Sequence, residues 1–396
     1  MEEKMELLQN LSKKYDEIFK DLKELNEYIY KNPELGRKEF KACEAHKNIL
    51  KKYGFKVTDN YIGIETAYLA EYSSEKDGPK IAYLAEYDAL PEIGHGCGHN
   101  ALGTASVGAG ILLKDFVDEF GGTVYVYGTP AEETLGAKVD MAEAGCFDNI
   151  DAALLSHPTG KSHERSGTSQ AMEALQFTFK GKTAHAAGDP YNGINALDGV
   201  IQFFNSVNAL RQQTKESARI HGIISNGGEA ANIIPDLAVA NFYVREATTK
   251  EMVKLSERVK NCAKGAALAT GTELKIENYE YTFKHLVTNE TLSDVYVKNL
   301  KLQGIEDIPV SKPSGSSDCG DVSHHCPTIH SYFPISKCEL TGHSIEFAKA
   351  SISEEAYKGM KEAVLALAMT GKDILSDKEL LKKIKDEFEK IKKELE

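Results

Sequence analysis

The chain has 396 residues, 41% of them apolar, enough to bury two or three domain-sized cores. Its 47 Lys and Arg face 60 Asp and Glu, a net charge of −13, which argues against nucleic acid or anionic membrane as a partner because both need clustered positive charge. No apolar signal core or membrane-length stretch stands out, and seven scattered cysteines fit reduced thiols in a cytoplasm better than a disulfide framework.

In chain order, Leu7, Leu8, Leu11, Ile18, Phe19 and Leu22 recur at helical steps, so the first segment reads as a helix ended by Asn32-Pro33. A second helix is expected over 38–53, stopped by Gly54. Short apolar runs at 80–85, 123–127 and 152–155 then alternate with helical stretches at 100–117 and 136–144. That alternation predicts an α/β fold with a central sheet between helices.

The pattern changes after Gly167. Ala174 to Lys180 alternates strictly, as a half-exposed strand should. A helix (193–213), two strands (219–225 and 238–244), a helix (250–269) and a last strand (273–281) follow. This βαββαβ order predicts a small ferredoxin-like domain over 171–284, inserted into a larger one made of 1–170 and 285–396. Residues 373–396 read as a surface-packed amphipathic helix with Leu380, Leu381, Ile384, Phe388 and Ile391 on one face.

Four segments carry the chemistry. Asp88-Ala89-Leu90-Pro91 and Gly94-His95-Gly96-Cys97-Gly98-His99-Asn100 follow a predicted strand and precede a small-residue helix. Thiolate and imidazole are ligands for zinc and similar metals, and Cys97 and His99 can turn towards one point. Pro130-Ala131-Glu132-Glu133 also ends a strand. One carboxylate there can bind metal while its neighbour holds a water as general base. His157 closes a third strand, and Gly342-His343-Ser344 comes late in the chain. Together these donors suit two metal ions.

These segments, with Gly181-Lys182-Thr183-Ala184-His185-Ala186-Ala187, resemble the aminoacylase/carboxypeptidase family of metallopeptidases. Within it, the nearest resemblance is to the subfamily of hippurate, indole-acetyl-amino-acid and p-aminobenzoyl-glutamate hydrolases. The resemblance covers the chain to about residue 370, and implies a metal-binding catalytic domain interrupted by a lid and dimerisation domain. It implies two divalent ions per subunit, zinc or manganese with cobalt as an option, held by Cys97, His99, Glu133, His157 and His343. Glu132 becomes the general base, and Asp88 a carboxylate that orients the site. Relatives outside the subfamily carry a His ligand two places before that Asp, where this chain has Glu86. Asn100 stands where many hippurate-hydrolase-like members have Asp, which turns the resemblance towards the p-aminobenzoyl-glutamate hydrolase and dipeptidase branch.

The resemblance also implies a homodimer whose partner reaches into the site with His185, Asn232 and Arg245. His185 suits an oxyanion, and the Arg245 fork suits a substrate carboxylate. The expected activity is hydrolysis of the amide bond of an N-acyl amino acid, p-aminobenzoyl-glutamate or a dipeptide-like compound. Two rivals remain: a thiol amidase using Cys97 with His99 or His95, and a metal-holding homologue without catalysis. A dinucleotide site is not expected, because no strand is followed by G-x-G-x-x-G. His46, His163, His221, His285, His324, His325 and His330 read as structural or surface residues, and the cysteines other than Cys97 as small core residues.

Overall fold

A computed structural model describes residues 2–313 and 315–395. In chain order its elements are α1 (Glu2–Lys31), α2 (Phe40–Lys52), β1 (Lys56–Asp59), β2 (Tyr68–Ser73), β3 (Lys80–Ala85), α3 (His99–Phe120), β4 (Thr123–Gly128), α4 (Ala137–Glu143), β5 (Ala152–Thr159), β6 (Ala171–Lys180), α5 (Ala196–Leu210), β7 (Arg219–Asn226), β8 (Leu237–Glu246), α6 (Thr249–Thr270), β9 (Glu273–Asn278), α7 (Glu290–Lys301), α8 (Cys319–Ser323), β10 (Thr328–Pro334), α9 (Ile345–Ala350), α10 (Glu354–Ser376) and α11 (Lys378–Leu395). The described residues fall into two units, 2–168 with 286–313 and 318–395, and 169–285 with 315–317.

The first unit is built on a six-stranded mixed sheet of order β1-β2-β4-β3-β5-β10. β4, β3, β5 and β10 run parallel, while β2 pairs antiparallel with both β1 and β4. Successive side chains of a strand point to opposite faces, and β3 divides accordingly. Ile81, Tyr83 and Ala85 enter the core shared with α1, α3 and α10, whereas Ala82 and Leu84 pack with Met141 of α4 and Val322 of α8. Helix α1 buries Leu8, Leu11, Tyr15, Ile18, Leu22, Leu25 and Ile29, a stripe at three- and four-residue steps. Each fully buried aliphatic side chain of this kind contributes roughly 1.5–3 kcal/mol.

The second unit is a four-stranded antiparallel sheet, β7-β8-β6-β9, with α5 and α6 packed on it. Phe177, Phe203 and Phe242 fill its centre, the rings of Phe177 and Phe203 lying 4.4 Å apart. Both helices begin at side-chain caps. Asn195 accepts from the amides of Leu197 and Asp198, and Thr248 from that of Glu251.

The structure corrects several expectations. β1, β2 and β10 are additional strands. The 373–396 helix starts later, because Asp373 to Ser376 finish α10 and Asp377 caps a new helix by accepting from the amides of Glu379 and Leu380. Ile384 and Phe388 are its buried residues. All seven cysteines are free thiols, but Cys338 is exposed and Cys146 and Cys262 are half-buried rather than core residues. No described helix is long and apolar enough to cross a membrane.

Candidate metal centre and catalytic site

The parallel strands β3, β4 and β5 end along one edge of the sheet, where loops of such folds gather ligands. Asp88 follows β3, Glu132 and Glu133 follow β4, and His157 is near the end of β5. The β3–α3 loop carries Cys97 and delivers His99 as the first residue of α3. Two glycines set its path. Gly98 has φ +81°, and a Cβ there would lie 2.9 Å from Pro158 Cγ, so only glycine lets His99 approach the strand that bears His157. Gly96 accepts a 2.9 Å hydrogen bond from the amide of His343, drawing that late loop against Cys97.

The expected donors converge. Cys97, His99 and His157 form one group, Cys97, Glu133 and His343 a second, and His99, Glu132 and Glu133 a third, each with its ligand atoms within 4.8 Å of one another. Cys97 Sγ is 3.4 Å from His157 Nε2, and His343 Nε2 is 3.3 Å from Glu133 Oε1. His99 Nδ1 donates to Asp88 Oδ1 at 2.9 Å, which leaves Nε2 to face the cluster. His157 Nδ1 likewise donates to the Pro158 carbonyl at 2.8 Å. Tautomers fixed in this way are what metal-binding imidazoles need. His99 Nε2 and Glu133 Oε1 are buried without a well-directed hydrogen bond, so the donor set and its orphaned atoms fit a divalent cation.

The two adjacent glutamates sit in different fields. Burial, followed by the charges of Glu86, Glu133 and Asp318, pushes the Glu132 carboxyl well above the usual range. Burial acts on Glu133 as well, but His343 and His99 outweigh it and hold that carboxyl at about 2. Burial and the neighbouring His99 bring His157 down to about 4, so its imidazole is neutral near pH 7. Burial pushes the Cys97 thiol up, despite the opposing His99 charge.

Glu86 is fully buried with Oε2 3.2 Å from His99 Nε2, and its other oxygen lies 2.8 Å from the Lys138 ammonium. Lys138 also pairs with Asp318 at 2.5 Å, and its amide donates to the same carboxylate. Sequence reasoning missed Lys138, since one lysine in a short helical stretch reads as a solvent-facing charge. It also placed His330 among the bland histidines. His330 is buried, its ring 5.7 Å from that of His157 and stacked on Tyr332 at 4.9 Å. His95 is tied away from the cluster, with Nε2 donating to the Ile29 carbonyl at 3.2 Å. Asn100 joins a buried network, donating to Asn26 Oδ1 and Ser351 Oγ at 2.7 and 3.0 Å.

His185, Asn232 and Arg245 belong to the second unit. His185 Nδ1 accepts from the amides of Ala187 and Gly188 at 3.2 and 2.9 Å, which leaves Nε2–H as a donor. The Asn232 carbonyl accepts from Ala186 N. Arg245, on β8, lies over the Tyr243 ring and donates to Ser316 Oγ at 2.8 Å.

Comparison with known proteins narrows the family. Residues 172–270 match a family described as the peptidase dimerisation domain. The chain is 34% identical to the Xaa-Arg dipeptidase of Mus musculus, over 97% of this chain and 93% of that protein. It is 29% identical to a p-aminobenzoyl-glutamate hydrolase chain of Escherichia coli (strain K12), over 93% and 92%. Among solved structures, a putative aminohydrolase from methicillin resistant Staphylococcus aureus shares the fold with a TM-score of 0.74 at 21% identity, covering 93% of this chain and 98% of that one. Near-complete coverage by a relative at 34% identity shows that this chain is a hydrolytic enzyme of the M20 family of metallopeptidases and amidohydrolases.

Proposed function

We propose that the enzyme hydrolyses the amide bond of a dipeptide-like or N-acyl amino acid substrate, with Glu132 as general base at a dinuclear centre. The observation that carries this reading is the set of three overlapping donor groups, with Glu132 at the edge of one and Glu133 inside two. Cys97, His99, Glu133, His157 and His343 would hold the ions, zinc, manganese or cobalt. When bound, these supply Lewis acidity towards the attacking water and the scissile carbonyl.

Glu132 takes the proton of the water as its oxygen attacks the amide carbon, then returns it to the nitrogen as the C–N bond breaks. Asp88 keeps His99 in the tautomer that frees Nε2. His185, with Nε2–H available, donates to the developing oxyanion, and Arg245 and Asn232 hold the substrate carboxylate end. The dimerisation-domain match supports a homodimer in which these three residues come from the second copy. Seven free thiols support a reducing, cytoplasmic setting.

Dipeptides ending in arginine and p-aminobenzoyl-glutamate come first among substrates to test, since two of the relatives are named for them. The experiment follows amine release across such a panel with chelator-stripped and metal-restored protein. Activity lost on stripping and regained with metal is the expected result. Activity that survives stripping but not thiol alkylation would move the assignment to Cys97. Glu132→Gln is expected to abolish turnover while metal content stays intact, and retained turnover would remove Glu132 from its role.

A further inference from the structure

The turn that presents Glu132 and Glu133 is held from outside the metal cluster. Ala131, immediately before it, has φ +62°, a left-handed conformation that a non-glycine residue adopts only when its surroundings impose it. Its amide donates at 2.8 Å to Glu39 Oε1. Glu39 is 0% exposed and immediately precedes α2, 92 residues away in sequence. Gly36 sits so close that an added Cβ would meet Thr134 Oγ1 and Ala131 Cβ at 2.4 and 3.0 Å.

The segment around Glu39 is itself braced. The Glu34 carboxylate accepts from the amides of Lys41 and Ala42 at 2.8 and 3.1 Å, and the Glu34 carbonyl accepts from Ala89 N at 2.9 Å. Arg37 pairs with Asp140 of α4. A single loop therefore touches both the end of the Asp88 segment and the start of the glutamate turn.

We propose that Glu39 is a positioning residue: its carboxylate oxygen pins the strained Ala131 amide and so fixes the direction in which Glu132 and Glu133 project. The inference rests on the general-base and ligand roles given above to those two residues. A buried amide needs an acceptor, and losing this one frees the turn to leave its left-handed conformation. Both carboxylates then lose their alignment together. Burial and the neighbouring Asp88 raise the Glu39 carboxyl to about 7, so Glu39→Gln removes a carboxylate that is only partly ionised near neutral pH.

The test compares Glu39→Gln, which keeps an acceptor at the same reach, with Glu39→Asp, which keeps the acid but falls short by one methylene. Glu39→Met, similar in length with no oxygen, serves where the aspartate variant does not fold. At saturating metal, the Asp and Met variants are expected to lose about tenfold or more in kcat with KM within about threefold, while Gln stays within about twofold of wild type. Titration with Co2+, read from its visible absorption, provides a measurement independent of turnover. The Asp and Met variants are expected to bind about threefold or more weakly, and Gln like wild type. Folded Asp or Met variants with wild-type kcat and Co2+ affinity would overturn the proposal, as would a Gln variant as impaired as Asp. Absence of amide hydrolysis in wild-type protein would count instead against the substrate reading, leaving the Co2+ comparison to decide on Glu39.

Discussion

The Lys138 ammonium, fully buried, stands 2.8 Å from Glu86 Oε1. Its second partner is Asp318, so one cation serves two carboxylates in the wall of the candidate metal site. Burial alone would raise Glu86, but the Lys138 charge together with those of His99, His157 and His330 outweighs it and holds that carboxyl at about 2. The same two carboxylates hold Lys138 protonated against its own burial.

Removing the cation therefore leaves buried negative charge without compensation. Lys138→Met is expected to cost about 3–5 kcal/mol of stability in urea denaturation, and Lys138→Met with Glu86→Gln to recover part of it. A single variant that loses less than about 1 kcal/mol would show that the triad is relaxed by water or by proton uptake.

The contrast between Lys138 and Cys97 shows what a sequence can disclose. Cys97, His99, Glu132, Glu133 and His157 are conspicuous because they cluster in short segments at strand ends, where a chemical motive is visible locally. His343 is farther away, but its Gly-His-Ser setting marks it. Lys138 and Asp318 are 180 residues apart, and neither sits in a segment that signals its partner. Glu39 is hidden for the same reason, since its meaning lies in one amide 92 residues downstream. β1 escaped notice because it is a short, largely exposed edge strand with little apolar alternation. The break at Asp377 was invisible to periodicity, because apolar spacing runs on through a capping residue that starts a new helix.

Metal removal should register in stability without any substrate. The cluster places His99 Nε2 and Glu133 Oε1 in buried positions that a cation satisfies. A ligand that binds only the folded state adds about 2.7 kcal/mol at a hundredfold excess over Kd. Chelator-treated protein is expected to melt several degrees lower in a thermal scan, and zinc or manganese to restore the midpoint. Identical midpoints with and without metal would argue that the folded state gains nothing from the ion.

Acid sensitivity should trace in part to His46, which is not among the proposed ligands. Its ring is fully buried with Nδ1 2.9 Å from Tyr68 Oη, and burial lowers its pKa to about 3. Unfolded, the same side chain takes a proton near pH 6.5. The unfolded state thus binds the extra proton between those values, and the contribution of His46 is full above pH 6.5 and declines as pH falls towards 3. The slope from this group is at most about 1.4 kcal/mol per pH unit. In His46→Gln, the difference in unfolding free energy between pH 7 and about pH 5 should shrink by about 2 kcal/mol, that slope acting over the roughly 1.5 units below pH 6.5. An unchanged difference would remove His46 from the acid response.

Asp88 joins two of the proposed ligands through one carboxylate. Oδ1 accepts from His99 Nδ1 and Oδ2 from the amide of Glu133, both at 2.9 Å. An asparagine of the same shape can keep only one of these bonds, because its NH2 must face either the imidazole N–H or the peptide N–H. If the NH2 turns to His99, the ring loses its carboxylate acceptor and keeps only the Asp88 carbonyl, 3.1 Å from Nδ1. If it turns to Glu133, the turn loses its anchor. Either way, Asp88→Asn is expected to weaken zinc or manganese binding by about 10–100-fold in calorimetric titration, with the fold retained by circular dichroism. Wild-type affinity in that variant would mean that burial among the β3, β4 and α3 backbones is enough to aim His99 and Glu133 without help from the carboxylate.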